Sequence, residues 1–442
     1  MQGLADDGGL FIPDNWPKVD INKLKELDTF LDVAKYIVPM FTQSSFDKSE
    51  VEEVLNNTWH DFSEKDLIKI FDIDESTSIL ELFHGPTAAF KDFGLQLAAA
   101  FFNKTLQTQN KTAVVFGATS GDTGSAAIDA CKEFDVIKSF ILIPDGNMSE
   151  IQRKQMTTVD KSNVFPILVS GTFDDCQDIV KKGFSERSFL RDDQYLLAVN
   201  SINWVRIIGQ ICYYFYASLI VNKLSHPLNF SVPTGNFGNV FACYAASKMG
   251  MPLEKIIVAV NSNDILDRFF KNNDYSKKTV SETISPSMDI SVASNFERLM
   301  YDFYLNRNSE ACSNLYNNFP EYGIKIDDEM WQKSEDLFMS YSINDDSTYE
   351  SMKFYNNEYN YVMDPHTAVA AEAVSSLKDK LKNKTIILST AHPAKFPNAL
   401  DNAGIISDDI PDNLSEVISK KEVASKLSAS EDSIFNYIKE NN

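Results

Sequence analysis

Cysteine is sparse in this sequence. The chain has five cysteines, which are widely scattered and include no C-x-x-C pair. This odd, scattered set argues against a disulfide framework and a structural zinc site, and it indicates a reducing compartment. The first residues have neither a basic start nor an apolar core, so no signal peptide is expected. We therefore expect a cytoplasmic protein.

Basic residues are fewer than acidic ones. The formal net charge of −22 argues against a nucleic-acid backbone or an anionic membrane surface as partner. Any anion that the protein binds must be held locally, by backbone N–H groups, helix N-termini or single arginines. The longest apolar stretch, Val205 to Val221, is short for a membrane span and contains Arg206 and Gln210. We expect this stretch to form a helix buried inside the protein.

Several catalytic motifs are missing. The sequence has no G-x-S-x-G elbow, no Walker lysine loop and no G-x-G-x-x-G dinucleotide loop. Their absence disfavours hydrolase, nucleoside-triphosphatase and dehydrogenase functions. His84, His366 and His392 lack the spacing of metal ligands. We therefore expect no metal site and assign these histidines structural or supporting roles.

From Lys111 onward, short β-branched runs alternate with helical patterns. Such alternation is typical of βαβ units. The predicted strands are 112–116, 139–143, 164–169, 195–199, 230–233, 256–260 and 385–388, and the predicted helices are 125–134, 173–186, 204–224, 240–249 and 368–377. We predict a doubly wound α/β fold with mostly parallel sheets, which binds its ligands at the carboxyl ends of the strands.

The segments around this pattern differ from it. Residues 21–74 show apolar residues at helical spacing, 272–350 are rich in Asn, Ser, Asp and Tyr without strand alternation, and 414–439 have the pattern of short surface helices. We predict a mainly helical N-terminal region at 1–84 and a smaller α/β domain at 85–203. A larger α/β domain follows at 204–442, with a helical insertion at about 272–350 and a helical C-terminal end.

One lysine, Lys91, lies in otherwise apolar company within the phrase H-G-P-T-A-A-F-K-D-F-G at residues 84–94. A desolvated lysine is a nucleophile, and its best-known task is a Schiff base with a carbonyl cofactor. A lysine that extends from the start of a helix into solvent explains the residue equally well when it is taken alone. The other polar segments of the chain provide the evidence that distinguishes these two interpretations.

Two strand-to-helix junctions have the composition of anion-binding loops. The first has the sequence G-A-T-S-G-D-T-G at 117–124, and the second has P-T-G-N-F-G-N at 233–239. Small residues let backbone N–H groups face a carboxylate or phosphate at a helix N-terminus. For the first loop the alternative is an ordinary capped turn, because the same residue types are favoured there. We favour a ligand loop, since the order of strand, loop and helix is the one such sites need.

Two further segments place polar groups at strand ends. Residues 200–206, N-S-I-N-W-V-R, put Arg206 in the first turn of the predicted buried helix, where it needs an anionic partner. A ligand and one of the chain's own carboxylates are equally good candidates for that partner. Residues 389–397, S-T-A-H-P-A-K-F-P, supply a hydroxyl at a strand end, where a ring nitrogen can meet a neutral group.

Together these phrases resemble the threonine synthase family of pyridoxal-phosphate enzymes, which have the tryptophan-synthase-β type of fold. The resemblance extends from G-L-A-D-D-G-G-L-F-I-P at 3–13 to T-A-H-P at 390–393. It implies two α/β domains with pyridoxal 5′-phosphate between them, and the conversion of O-phospho-L-homoserine and water to L-threonine and phosphate. Family members usually carry a further segment, commonly a strand, before the first phrase. We therefore expect either a truncated start or a member without that strand.

The resemblance also implies roles for individual residues. Lys91 forms the Schiff base with the cofactor and then moves protons on the substrate. Thr390 meets the pyridine nitrogen. The cofactor phosphate is assigned to Gly235, Asn236, Phe237, Gly238 and Asn239, the substrate carboxylate to Ser120, Gly121, Asp122 and Thr123, and the substrate phosphate to Asn200, Asn203 and Arg206.

Two other functions stay open on the sequence. A related lyase eliminates phosphate from phosphohomoserine and releases 2-oxobutyrate, and the water addition at Cβ that separates the two enzymes depends on geometry. A non-catalytic α/β protein that binds a phosphorylated metabolite is the alternative from a different class. For the assembly we expect a monomer or a homodimer.

Overall fold

The computed structural model describes residues 3–5, 7–119, 121–146 and 148–442. Its strands are β1 Lys69–Asp72, β2 Thr77–Glu81, β3 Thr112–Ala118, β4 Ile137–Pro144, β5 Val164–Ser170, β6 Gln194–Leu197, β7 Leu228–Pro233, β8 Leu253–Val260, β9 Phe338–Ser342, β10 Thr385–Ser389 and β11 Ser425–Ser428.

The α-helices surround these strands. They are α1 Ile21–Leu24, α2 Phe30–Ile37, α3 Pro39–Thr42, α4 Lys48–Asn56, α5 Lys91–Gln109, α6 Asp122–Cys131, α7 Glu150–Thr157, α8 Phe173–Glu186, α9 Trp204–Asn222, α10 Gly238–Met249, α11 Ile265–Asn272, α12 Phe296–Leu299, α13 Ser309–Tyr322, α14 Asp328–Gln332, α15 Asp345–Tyr359, α16 Pro365–Leu377, α17 Pro397–Asn402, α18 Asp412–Ser419 and α19 Glu431–Asn441.

The strands form two sheets. The larger sheet has the order β1-β2-β10-β7-β8-β9, and the smaller has the order β11-β5-β4-β3-β6. Every pairing is parallel except that of β1 with β2. The predicted α/β fold with mostly parallel sheets is thus confirmed. The seven predicted strands all coincide with observed ones, although β6 ends at Leu197 and not at Val199.

Four strands were missed by the sequence prediction. β1 and β2 form an antiparallel pair inside the segments predicted as helical, and β9 lies inside the predicted helical insertion at 272–350. β11 replaces part of the predicted surface helices at 414–439 and pairs with β5. Each of these strands has only four or five residues. Runs this short show no clear alternation, so their conformation is decided by the strand beside them.

Sheet membership also bears on the predicted domain limits. The pair β1 and β2, which precedes residue 84, belongs to the larger sheet, while β11 near the C-terminus belongs to the smaller one. Helix α19 follows β11 and packs on the smaller sheet through Ile434, Phe435 and Ile438. The limits at residues 84 and 203 stay a prediction.

Helix α5 lies between the two hydrophobic cores. Phe93, Leu97 and Phe101 pack in the core of the larger sheet, whereas Leu95 and Phe102 pack in the core of the smaller sheet. A helix that is apolar on nearly all sides is expected in such a place. Because Lys91 is the first residue of α5, this helix positions it at the junction of the two cores.

Helix α9 crosses α5 and forms the centre of the larger core. Among the described residues it is the helix long and apolar enough to span a membrane, and most of it is buried inside the protein. The predicted buried helix is thus confirmed. Two glycines permit the crossing: a Cβ at Gly209 would lie 2.8 Å from the carbonyl oxygen of Phe93, and one at Gly94 would lie 2.8 Å from that of Arg206.

Candidate active site

The segment that precedes Lys91 is bonded to the loop that follows β10. The Phe90 N–H donates to the Thr390 carbonyl oxygen at 2.9 Å, and the His392 N–H donates to the Ala88 carbonyl oxygen at 3.1 Å. Strand β10 belongs to the larger sheet and ends at Ser389. These two hydrogen bonds therefore place Lys91 beside Thr390, at the carboxyl end of a parallel strand.

Asp92 explains the glycine and the threonine, Gly85 and Thr87, that precede Lys91. Its carboxylate accepts hydrogen bonds from the Thr87 N–H at 2.9 Å and from Thr87 Oγ1 at 2.6 Å. A Cβ at Gly85 would lie 2.4 Å from Asp92 Oδ2, so this position requires glycine. Burial, with a smaller contribution from the Asp129 carboxylate, raises the pKa of Asp92 to about 7. The phrase at 84–94 is thus a self-bonded turn that fixes the start of α5.

The Lys91 amine is buried, with 9% of the residue exposed. Its Nζ lies 3.3 Å from Asp122 Oδ2 and 5.0 Å from the centre of the Phe90 ring. Burial lowers the pKa of Lys91; the Asp122 carboxylate opposes this shift, and the positive charges of Lys395 and Arg206 add to it. The alternative of a lysine that extends into solvent is thereby excluded.

Asp122 is the first residue of α6 and is held by three side chains. Besides Lys91, its carboxylate contacts Lys395 Nζ at 2.7 Å and Gln152 Nε2 at 2.9 Å. Burial alone would raise the pKa of Asp122, but the ammonium groups of Lys395 and Lys91 outweigh burial and hold this pKa well below its usual range. A Cβ at Gly121 would lie 2.8 Å from Gln152 Nε2, so a larger residue here would displace the amide that donates to Asp122.

The predicted phosphate loop lies between β7 and α10. Phe237 precedes α10 in a left-handed conformation with φ 64°, and no side chain caps the first turn of this helix. A Cβ at Gly235 would lie 2.6 Å from the Ser287 carbonyl oxygen. The loop therefore presents the first N–H groups of α10 without a competing side-chain cap, which is the arrangement that binds phosphate.

The side chains of this loop point to several partners. Phe237 is buried and its ring packs against Phe296 at 5.1 Å between centroids. Asn239 Oδ1 accepts hydrogen bonds from the Tyr213 and Tyr214 hydroxyls, while its buried Nδ2 has no partner among the described residues. Phe237 can contribute to an anion site only through its backbone. Asn239 has one free donor left.

Thr390 lies at the head of a buried hydrogen-bond chain. Its N–H donates to Thr367 Oγ1 at 3.4 Å, and Thr367 Oγ1 donates to the Asp364 carboxylate. His366 Nδ1 lies 2.8 Å from the same carboxylate, and His366 Nε2 accepts from the Ser287 N–H at 3.2 Å. This chain connects Thr390 to the residue that faces Gly235.

The segment at 200–206 is only partly directed toward a ligand. Asn200 is exposed, whereas Asn203 caps α9 by accepting from the Val205 N–H at 3.0 Å. Arg206 is buried, donates to the Val199 carbonyl oxygen at 2.8 Å, and lines a cavity of about 10 Å³. Burial lowers its pKa to about 10. Within the described ranges no carboxylate pairs with this guanidinium, so the alternative of an internal ion pair is not supported.

Asn295 links this segment to the phosphate loop. Its side-chain amide donates to Ser201 Oγ at 3.1 Å and to the Asn236 carbonyl oxygen at 3.0 Å. Arg298 in turn donates to the Asn295 side chain and to the carbonyl oxygens of Ile202 and Phe11. The structure therefore brings segment 200–206 and the loop at 233–239 together through residues that the sequence had not singled out.

The structure brings some of the predicted residues together and adds new ones. Lys91 contacts Asp122, and the hydrogen bond from Phe90 places Thr390 beside Lys91, while Ser120 lies outside the described residues. The sequence prediction missed Lys395 and Gln152. Lys395 carried a usable signal, because it is, like Lys91, a lysine in an apolar phrase of an acidic chain.

Three family models match this chain. Residues 79–314 match the pyridoxal-phosphate dependent enzyme model, residues 1–59 match the threonine synthase N terminus model, and residues 367–438 match the threonine synthase C-terminal model. The threonine synthase of Pseudomonas aeruginosa is 40% identical over 426 residues, which cover 96% of this chain and 90% of that protein.

Solved structures agree with these matches. The crystal structure of the pyridoxal-phosphate-bound threonine synthase from Brucella melitensis superposes with a TM-score of 0.95 at 35% identity, over 99% of this chain and 95% of that one. The yeast threonine synthase structure gives a TM-score of 0.93 at 38% identity, over 99% and 94% of the two chains. This chain belongs to the threonine synthase family of pyridoxal-phosphate-dependent enzymes.

Proposed function

We propose that the protein converts O-phospho-L-homoserine and water to L-threonine and inorganic phosphate, with Lys91 as the residue that binds pyridoxal phosphate. The observation that carries this proposal is the buried Lys91 amine, which lies between the two cores and faces Asp122 at 3.3 Å. A buried amine whose pKa is lowered is suited to react with the cofactor's carbonyl group.

Three features of the chain fit pyridoxal phosphate. Lys91 supplies the amine. The loop from Gly235 to Asn239 supplies uncapped helix N–H groups for the phosphate, and the Asn239 Nδ2 donor is buried without a partner among the described residues. Thr390 supplies a neutral hydroxyl for the ring nitrogen, beside Lys91. We assign the cofactor phosphate to Gly235, Asn236, Phe237, Gly238 and Asn239, with Phe237 acting through its backbone.

Lys91 has two tasks in this mechanism. When bound, pyridoxal phosphate supplies an electron sink for negative charge on the substrate carbons. With substrate bound, the Lys91 amine would be placed to take the proton from Cα and to serve proton movement at Cβ. Removal of the Cβ proton lets phosphate leave from Cγ. A proton delivered to Cγ then forms the methyl group, and addition of water at Cβ with return of a proton to Cα gives threonine. The neutral hydroxyl of Thr390 moderates the electron sink and favours this elimination and replacement over transamination.

The substrate's two anionic groups are assigned to different segments. We propose that the loop at 120–123 holds the carboxylate, where Gly121, Asp122 and Thr123 act through backbone groups at the start of α6, together with Ser120. The Asp122 side chain is not available for this task, because Lys91, Lys395 and Gln152 occupy its oxygens. We assign the substrate phosphate to Asn200, Asn203 and Arg206, with the unpaired charge of Arg206 as the main attraction.

The proposal also covers the compartment, the assembly and the partners of the enzyme. We propose a cytoplasmic monomer or homodimer whose partner is a small molecule, and neither nucleic acid nor a membrane. The net charge of −22 supports this, because phosphate-rich surfaces repel an acidic protein. Light scattering of the purified chain measures the assembly directly.

The visible absorbance spectrum tests the cofactor assignment. We expect protein supplied with pyridoxal phosphate to show the visible band of a lysine-bound cofactor, and Lys91→Ala to lose it. Lys104→Ala is the matched control, since Lys104 lies on the same helix and pairs with Glu53 near the surface. Wild-type protein without the band would favour the alternative of a non-catalytic phosphometabolite-binding protein.

A further inference from the structure

A second buried lysine lies next to Lys91. Lys395 is completely buried, and its Nζ contacts Asp122 Oδ1 at 2.7 Å and the Thr87 carbonyl oxygen at 2.7 Å. Asp122 Oδ2, the other oxygen of that carboxylate, lies 3.3 Å from Lys91 Nζ. One carboxylate therefore lies between two ammonium groups, one from the phrase at 84–94 and one from the phrase at 389–397.

The surroundings of Lys395 are fixed on several sides. Gln152 Nε2 donates to Asp122 Oδ1 at 2.9 Å, and Gln155 Nε2 donates to the Thr87 carbonyl oxygen at 2.9 Å. The N–H and hydroxyl of Thr87 are in turn bonded to Asp92. Both oxygens that Lys395 contacts are also held by these hydrogen bonds, so the fold fixes the position of Lys395 relative to Lys91.

Lys395 is the second cation that contacts the Asp122 carboxylate beside Lys91. The charged groups that act on the Lys91 amine are the Asp122 carboxylate from α6, the Lys395 ammonium from the segment after β10, and the Arg206 guanidinium from α9. Without Lys395, Lys91 would be the only cation that pairs with the Asp122 carboxylate. An exclusive buried ion pair would stabilise the protonated amine, which is not nucleophilic.

We propose that Lys395 is a positioning residue for Lys91: it occupies one oxygen of Asp122 and so shares the carboxylate, which holds the Lys91 amine in place without locking it into an exclusive ion pair. This role rests on the proposed function of Lys91. Complete burial and two occupied contacts exclude Lys395 as a second covalent attachment point. They also leave no access for a substrate phosphate.

The test compares the full-length, cofactor-free wild type with Lys395→Met. The probe is pyridoxal phosphate itself, and the readout is the pH dependence of the rate at which the Lys91-dependent visible band forms. We expect the midpoint of this profile to rise by about one pH unit or more in Lys395→Met, so that the rate at pH 7 falls about tenfold. At high pH the two proteins should reach the same rate.

A second variant separates the electrostatic role from a structural one. In the double variant Asp122→Asn with Lys395→Met, the carboxylate and its cation are both removed, and we expect the midpoint to return to the wild-type value or below it. This pair of substitutions removes the carboxylate together with one of its two cations, so it also provides the test if Lys395→Met alone fails to fold. A double variant whose midpoint stays raised would overturn the proposal.

Controls make each outcome decisive. Lys384→Met removes a lysine that lies just before the amino end of β10 and pairs with Asp72. The pH profile of this variant should match that of wild type. A folded Lys395→Met with the wild-type midpoint would overturn the positioning role and leave the proposed function intact. A wild type that forms no Lys91-dependent band would contradict the proposed function itself and the role of Lys395 with it.

Discussion

The Phe90 N–H donates to the Thr390 carbonyl oxygen at 2.9 Å, and this hydrogen bond joins the start of α5 to the end of β10. It uses only backbone atoms, so the side chains on either side are free for chemistry. Lys91 follows Phe90, and the Thr390 hydroxyl lies on the opposite segment. We propose that the Lys91 amine and the Thr390 hydroxyl contact opposite parts of one cofactor. This backbone hydrogen bond fixes their relative positions.

Thr390→Val should reduce activity while the fold persists. The described contacts of Thr390 use its backbone N–H and carbonyl group, which valine retains. Loss of one hydrogen bond to the cofactor ring should lower kcat/KM about tenfold, as measured by phosphate release. Thr390→Ser keeps the hydroxyl and should stay close to wild type. Equal losses in both variants would contradict a role for the hydroxyl.

Asp92→Asn should change how stability depends on pH. The pKa of Asp92 is about 7 in the folded protein, above that of an unfolded chain, so the folded state holds an extra proton. Stability from this group is therefore present at acid pH and lost as the pH rises from about 4 to about 7. The asparagine variant lacks this loss, and its stability relative to wild type should grow by roughly 2–4 kcal/mol across that window.

Urea unfolding at pH 5 and pH 8 measures this difference. Asp178→Asn, which removes an exposed carboxylate on α8, is the control and should show no comparable change. A stability difference between Asp92→Asn and wild type that is the same at both pH values would show that the buried carboxyl does not titrate in this range.

Gly209→Ala should loosen the contact between α5 and α9. Alanine normally stabilises a helix by about 1 kcal/mol relative to glycine. Here the added Cβ would lie 2.8 Å from the Phe93 carbonyl oxygen, and the backbone shift should cost about 1–3 kcal/mol. We expect a net loss of stability in urea unfolding, together with weaker cofactor retention because Lys91 begins α5. Gly117→Ala, whose Cβ would lie an ordinary 3.5 Å from Val199, is the control.

Arg206→Met should separate binding from folding. The buried guanidinium lacks a carboxylate partner within the described part of the chain, so its removal should leave the melting temperature unchanged or higher. The KM for phosphohomoserine should rise about tenfold or more if this charge attracts the substrate phosphate. Arg298→Met is the comparison, because Arg298 bonds three oxygens and its loss should destabilise the protein. An Arg206→Met protein that melts earlier and keeps its KM would assign Arg206 a structural role.

The sequence predicted those strands and helices that are long and have apolar residues at regular spacing. Strands such as β4 and helices such as α9 were visible because they have many apolar residues at regular spacing. β9 and β11 were not, since five and four residues cannot specify a strand without the neighbour they pair with. The same limit applies to the site: the segments were recognisable, but the contact between Lys395 and Asp122 joins residues far apart in the chain.

Product analysis with O-phospho-L-homoserine tests the account most directly. Protein supplied with pyridoxal phosphate should release threonine and phosphate in equal amounts, and Lys91→Ala should release neither. Release of 2-oxobutyrate without threonine would contradict the proposed reaction and identify the protein as a phospho-lyase.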